Sequence, residues 1–207
     1  MQAESFALIA HDIKNALGSL ETELEAMIDE PSPAMAQSAH LHCAALRRRF
    51  IQFLTVYGSA EGLKTLSEDE SPSELLTSLQ RLAQTRRAAP NAVALNIQIS
   101  TGTNCPLYWY FDRRLVHMAL DAAIHNACRF ARSEVTLGVR QDADYLVFFI
   151  DDDGPGLGAM DPSDSSTGMG TNLCKSVAQA HHCQDRVGHI SLHNREEGGA
   201  RFELWLP

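Results

Sequence analysis

No apolar run in this chain of 207 residues approaches the roughly 20 residues that a membrane-spanning helix needs. Basic residues are scarce: 17 Lys and Arg stand against 26 Asp and Glu, and the formal net charge of -9 argues against a nucleic-acid surface. Cysteines are few and scattered. Cys43, Cys105, Cys128, Cys174 and Cys183 make an odd count, with no pairs at metal-site spacing and no signal peptide ahead of them. That usage predicts reduced thiols and a cytoplasmic protein. Internal repeats and low-complexity segments are also missing. What remains is an ordinary globular composition, 44% hydrophobic, long enough for one large domain or two small ones.

The first part of the chain reads as two helices. Phe6, Ile9, Ile13, Leu17, Leu20, Leu24 and Met27 recur every three or four residues, which predicts a helix from Gln2 to about Ile28. Asp29-Glu30-Pro31-Ser32-Pro33 ends it. Ser32 is placed to cap a second helix that runs to about Tyr57, with Pro33 in its first turn. An isolated hairpin buries little, and doubling it into a four-helix bundle is the usual solution, so a homodimer is expected. A polar stretch from about Gly58 to Ser71 reads as a hinge. The domains expected are therefore 1–62, a helical hairpin, and 72–207.

The second part mixes strands and helices. Ser71-Pro72-Ser73-Glu74 is a capping-box pattern that opens a third helix. Val93, Leu95, Ile97 and Ile99 alternate as a half-buried strand does, and so do Val135, Leu137 and Val139. Asp112 is placed to cap a helix reaching Phe130. Tyr145 to Ile150 reads as a strand, and a helix is expected from about Gly170 to His181. Strands from about Val187 to His193 and Arg201 to Leu206 close the chain around a turn at Gly198-Gly199. The fold class expected is α+β: the hairpin, then an α/β sandwich with a mixed sheet and helices on one face.

Three boxes in the second part carry chemistry. The strand at Ile150 ends in Asp152, Gly154 and Gly156, a D-x-G-x-G pattern. A carboxylate there can accept from a purine amino group, and glycines let the backbone turn sharply beside a ligand. Upstream lies Asn126-Ala127-Cys128-Arg129-Phe130 at a helix end. Downstream, Gly168-Met169-Gly170 precedes a helix whose N-terminus can cradle phosphate oxygens. A fourth box lies near the start of the chain, at His11-Asp12-Ile13-Lys14-Asn15. Ile9 and Ile13 belong to the helix's apolar stripe, so His11 should face outward, and a neutral imidazole is a competent nucleophile. Asn15, at i+4, shares its face.

Together these boxes resemble those of sensor histidine kinases, whose ATP-binding domain is shared with gyrase, the Hsp90 chaperone and MutL. The resemblance implies ATP and Mg²⁺ as ligands. Asn126 would be the Mg²⁺ ligand, Arg129 a phosphate contact and Phe130 a wall of the nucleotide site. Asp152 would read adenine, with Gly154, Gly156, Gly168 and Gly170 shaping the loops. His11 would be the phospho-acceptor. Asp12 would hold the other ring N–H and act as base, and Asn15 would orient water for removing phosphate from a response-regulator receiver domain. The membrane anchor and sensor usual in that family have no counterpart in this chain, so an upstream sensor protein or ligand is expected to supply control.

Departures from the pattern matter. Ala16 stands where a proline is usual. Ala122 replaces the Asn or the water-activating Glu found one turn before the Mg²⁺ ligand, which argues against simple ATP hydrolysis. The segment Ala159 to Thr167 is short and acidic and holds no Lys or Arg, and Thr171-Asn172 replaces Leu-Gly. These changes keep two further readings open: a histidine phosphotransferase or response-regulator phosphatase with a degenerate ATP-binding domain, and a non-catalytic dimeric scaffold or anti-sigma-like binding module. The clusters His40, His42, Cys43 and His181, His182, Cys183 match no zinc spacing.

Overall fold

The computed structural model describes residues 2–57, 63–87, 95–101, 104–158 and 169–207. The chain divides into two compact units, 1–62 and 63–207. Among the described residues no helix is long and apolar enough to cross a membrane.

The first unit is a helical hairpin. Helix α1 spans Gln2–Asp29 and α2 spans Pro33–Tyr57. Ser32 caps α2: its Oγ accepts the Met35 N–H at 3.2 Å, satisfying a donor that the first turn leaves unpaired. Leu20, Ala39 and Phe53 are buried between the helices. Glu23 and His42 join them on the outside at 2.6 Å. The hairpin leaves Leu17, Leu24, Ile28, Leu41, Phe50 and Ile51 exposed.

The second unit is built on a five-stranded sheet in the order β2-β4-β5-β9-β8. These are Asn96–Thr101 (β2), Glu134–Asp142 (β4), Tyr145–Asp152 (β5), His189–Asn194 (β8) and Ala200–Leu206 (β9). β2 and β4 are parallel and the other pairs antiparallel, so the sheet is mixed. Three helices pack on it: α3 (Pro72–Arg87), α4 (Arg113–Phe130) and α5 (Met169–Ala180). The strand period of two explains the packing. Val135, Leu137, Leu146, Phe148, Ile150, Leu204 and Leu206 are essentially sealed from solvent, whereas their neighbours Arg140, Phe149, Arg201 and Trp205 are half-buried on the opposite face. Leu115, Val116, Ala119, Leu120, Ala123, Ile124 and Ala127 recur at helical spacing and form the buried side of α4.

Several expectations need correction. The hinge does not extend to Ser71. Glu68–Glu70 form strand β1, paired antiparallel with β3 at Trp109–Phe111. Three acidic residues in a row read as a solvated linker, and only the distant partner strand makes them a strand. Residues 58–62 of that stretch lie outside the described residues. The strand expected from Val187 is divided: Arg186–Val187 (β7) pairs with His182–Cys183 (β6), and β8 begins after Gly188. Val93 lies outside the described residues, and β2 begins at Asn96.

Asp112 is a junction. Its Oδ1 accepts the Leu115 N–H and caps α4, its Oδ2 accepts the Leu66 N–H, and its own N–H donates to His181 Nε2 at 3.0 Å. His181 is buried and donates from Nδ1 to the Val177 carbonyl at 2.8 Å. Both ring nitrogens are thus committed in the neutral form. Burial pushes the imidazole pKa below its ordinary value, and this outweighs the opposing hydrogen bond to Val177 and the nearby Asp112 charge. The unfolded chain therefore binds the proton more readily than the folded one. The stabilisation is present above about pH 6.5, the ordinary histidine value, and is lost as pH falls below it. Urea unfolding should show a midpoint that drops between pH 7 and pH 5. His181→Gln, which keeps an acceptor for the Asp112 N–H but does not titrate, should flatten that drop.

Candidate functional site

In the second unit, three of the sequence boxes come to one end of the sheet. Helix α4 ends with Asn126 exposed and Arg129 and Phe130 half-buried, the Arg129 guanidinium lying 5.3 Å from the Phe130 ring centre. The chain then turns through 131–133, and Asp153 pins that turn to the end of β5. The Asp153 carboxylate accepts from the Arg132 N–H at 2.8 Å, the Ser133 N–H at 3.1 and 3.0 Å, and the Ser133 hydroxyl at 2.6 Å. Desolvation pushes its pKa up, but these bonds outweigh it and hold the carboxyl well below the usual range. Gly154 closes the same junction, since a Cβ there would stand 2.5 Å from the Phe130 carbonyl oxygen.

The three consecutive acids escape mutual repulsion by separate means. Asp153 takes the donors just described. Asp151 receives two bonds of 2.6 Å from Arg201. Asp152 is 8% exposed, and its Oδ1 accepts the Gly154 N–H at 2.9 Å and the Ala200 N–H at 3.3 Å. Its Oδ2 takes no hydrogen bond among the described residues. One carboxylate oxygen is therefore fixed by two backbone N–H groups, and the other takes no bond among the described residues.

Helix α5 supplies the third side. Its first turn lies against α4: a Cβ on Gly170 would come 3.9 Å from the Ala122 Cβ, and Cys174 donates from Sγ to the Ala119 carbonyl at 3.3 Å. Ala122 is buried in this contact, one turn before Asn126. Gly170 is the second residue of α5, which starts at Met169, within one residue of the start expected from the sequence. Gly168 and the segment Ala159 to Thr167 lie outside the described residues.

His11 lies on α1 in the other unit, with its side chain 65% exposed. Ile13 is half-buried. The ring contact differs from expectation. Asn15 Nδ2 stands 3.2 Å from His11 Nδ1, whereas Asp12 Oδ1 is 3.9 Å away, beyond hydrogen-bonding distance. A residue at i+4 lies above its partner on a helix and the next residue points elsewhere, so Asn15 wins the contact. Two histidines of the two clusters bond elsewhere: His42 to Glu23 and His181 to Asp112.

Residues outside the three boxes also reach the site. Ala200 and Arg195 bond Asp152, and Asn194 bonds Leu157. The only sequence signal was the Gly198-Gly199 turn. Gly199 has φ +85°, and a Cβ on it would stand 1.8 Å from the Asp152 carbonyl oxygen. Gly199→Ala should cost at least about 2 kcal/mol, combining a left-handed backbone penalty with a backbone collision. Denaturant unfolding of the full chain measures it.

Residues 111–207 match the family described as histidine kinase-, DNA gyrase B-, and HSP90-like ATPase. Sensor protein RstB of Escherichia coli K12 is 28% identical over 96% of this chain and 47% of its own length. Sensor protein kinase CarS of Pseudomonas aeruginosa is 30% identical over 54% of this chain and 27% of its own. The chain thus spans about half, or less, of the curated relatives it matches. Among solved structures, the Acinetobacter baumannii histidine kinase AdeS superposes with a TM-score of 0.70 at 17% identity, covering 95% of this chain and 96% of that one. Histidine kinase ThkA, solved in complex with response regulator protein TrrA, gives 0.69 at 17% identity, covering 99% of this chain and 61% of that one. At such identity these superpositions show the fold.

Proposed function

Starting from residues 111–207 as a histidine kinase-, gyrase- and HSP90-like ATPase domain, in a chain related to sensor histidine kinases along almost its whole length, we propose that this protein autophosphorylates His11 from ATP and passes the phosphoryl group to a response-regulator aspartate. The observation that carries the reading is Asp152, with one oxygen held by two backbone N–H groups and the other open to a purine amino group. Asn126, exposed near the end of α4, would hold Mg²⁺ through its amide oxygen, a hard donor suited to that ion. Arg129, Phe130, Gly154, Gly156, Gly168 and Gly170 would complete the nucleotide site. That a further structure of similar fold, full-length ShkA (TM-score 0.64 at 14% identity over 99% of this chain), was solved in complex with AMPPNP, and ThkA with a response regulator, supports the same ligand and partner classes here.

ATP supplies the γ-phosphoryl group. His11 forms the N–P bond with a ring-nitrogen lone pair, and the electron pair of the broken P–O bond leaves with ADP. The attacking nitrogen must be unprotonated. With the Asn15 amide nitrogen donating to Nδ1, the ring proton sits on Nε2. Turning the Asn15 amide, or drawing Asp12 in from 3.9 Å, places the proton on Nδ1 and frees Nε2 to attack. Asp12 then stabilises the ring charge that develops. The protein's remaining work is positioning and charge neutralisation.

The exposed Leu17, Leu24, Leu41, Phe50 and Ile51 of the hairpin support a homodimeric four-helix bundle. The five free cysteines fit a reducing compartment, and we place the activity in the cytoplasm.

A second reading, a histidine phosphotransferase or receiver phosphatase, is favoured by buried Ala122, which offers no base, and by Asn15 contacting His11 directly. Incubation with a receiver domain separates the two. The kinase loads its receiver from ATP. The relay stays unlabelled with ATP and exchanges phosphoryl only with a receiver that is already phosphorylated.

A further inference from the structure

The turn that joins β8 to β9 is tied to the D-x-G-x-G turn by side chains as well as backbone. Asn194, the last residue of β8, is exposed, yet its Oδ1 accepts the Leu157 N–H at 2.6 Å. The same oxygen lies 2.7 Å from where a Cβ on Gly156 would stand, and Gly156 has φ +85°. The amide is pressed against the second glycine, and no side chain fits between them. Arg195 donates from Nη1 to the Asp152 carbonyl at 3.2 Å. Its Nε stands 3.7 Å from Asp151, whose carboxylate Arg201 already holds. The turn is closed by Arg195 N–H to the Gly199 carbonyl at 3.1 Å and Gly198 N–H to the Arg195 carbonyl at 3.2 Å. Its exit residue, Ala200, donates to Asp152 Oδ1. Asp152 is thus held at its main chain by Arg195 and at its carboxylate by the residue after the turn, while Asn194 fixes the loop that follows.

We propose that Asn194 and Arg195 are positioning residues for nucleotide recognition, setting the direction in which Asp152 presents Oδ2 and the path of Gly156-Leu157 beside the bound base. The inference rests on Asp152 reading adenine. Neither side chain needs to touch the nucleotide. A carboxylate reads one purine edge only when its free oxygen is aimed, because a hydrogen bond weakens steeply once misaligned. The consequence is a link between this turn and the preference for adenine over guanine.

The test uses the full chain and equilibrium binding of ATP and GTP with Mg²⁺, together with hydrogen exchange at residues 152–158 without nucleotide. Asn194→Leu and Arg195→Ala should each weaken ATP roughly threefold to tenfold, the worth of one hydrogen bond. Each should also narrow the preference for ATP over GTP. Asn194→Asp keeps the acceptor and Arg195→Lys keeps the donor, so both should recover most of the loss. Exchange at Leu157 should quicken in Asn194→Leu and stay slow in Asn194→Asp. Folded variants with unchanged affinity and unchanged base preference overturn the proposal. So does an Asn194→Asp protein as weak as Asn194→Leu, or unaltered exchange at Leu157. Should Asp152→Asn leave ATP affinity untouched, adenine reading itself fails and the proposal with it. Should Asp152→Asn weaken ATP while the turn variants do not, only the present inference fails.

Discussion

Replacing His11 by Gln reduces ATP-derived phosphorylation of the chain to background while leaving ATP affinity unchanged. The imidazole is the nucleophile in this account, and glutamine offers an amide of similar polarity with no ring nitrogen of comparable basicity. His11 is 65% exposed on α1 and its hydrogen-bonding neighbour is Asn15 alone among the described residues, so its removal disturbs no core. The fold should therefore survive, with thermal unfolding within a degree or two of wild type, as surface substitutions usually behave. Separate compact units keep the two readouts apart: His11 belongs to 1–62, and the Asp152 site to 63–207. Retained binding with lost labelling identifies an acceptor. Loss of both would point to a structural role for the helix face.

The second large effect is on binding. Asp152→Asn should weaken ATP by roughly ten- to a hundredfold, the range expected for a hydrogen bond to a charged group worth about 1.5–3 kcal/mol. The new amide can still accept from Gly154 and Ala200 through its oxygen. That choice turns its NH₂ toward the adenine amino group, so donor faces donor. The opposite rotamer accepts from adenine but sets NH₂ against two backbone N–H groups. Either way one interaction turns repulsive, at a site only 8% exposed. ATP should raise the unfolding temperature of wild type and leave that of the variant nearly unmoved at the same concentration. Equal shifts in both proteins would remove Asp152 from the recognition site.

Much of this was legible in the chain because it rests on local rules. The stripe from Ile13 to Met27 gives α1, Ser32 gives the start of α2, and Asp112 the start of α4, each cap being a side chain within three residues of its partner. Strand β4 shows the alternation of Val135, Leu137 and Val139, and β5 is marked by the continuous apolar run from Tyr145 to Ile150. The D-x-G-x-G string marks its loop because glycine and acid types are demanded by local geometry. What escaped depends on residues far apart. β1 is three acids that become a strand only against β3, some forty residues on. Asn194 and Arg195 look like ordinary turn residues until the turn is seen against Asp152 and Leu157, about forty positions earlier. The orientation of the His11 ring escaped for another reason. The family resemblance gave the ring N–H to Asp12, whereas helix geometry brings Asn15 to the ring.

The measurement that bears most directly on the central claim is the fate of γ-labelled phosphate after the wild-type chain meets MgATP. The account predicts one phosphoryl group per chain at most, located on His11 by peptide mass, stable in alkali and lost in acid. A chain that binds ATP yet carries no label, or carries an acid-stable label on another residue, would contradict it.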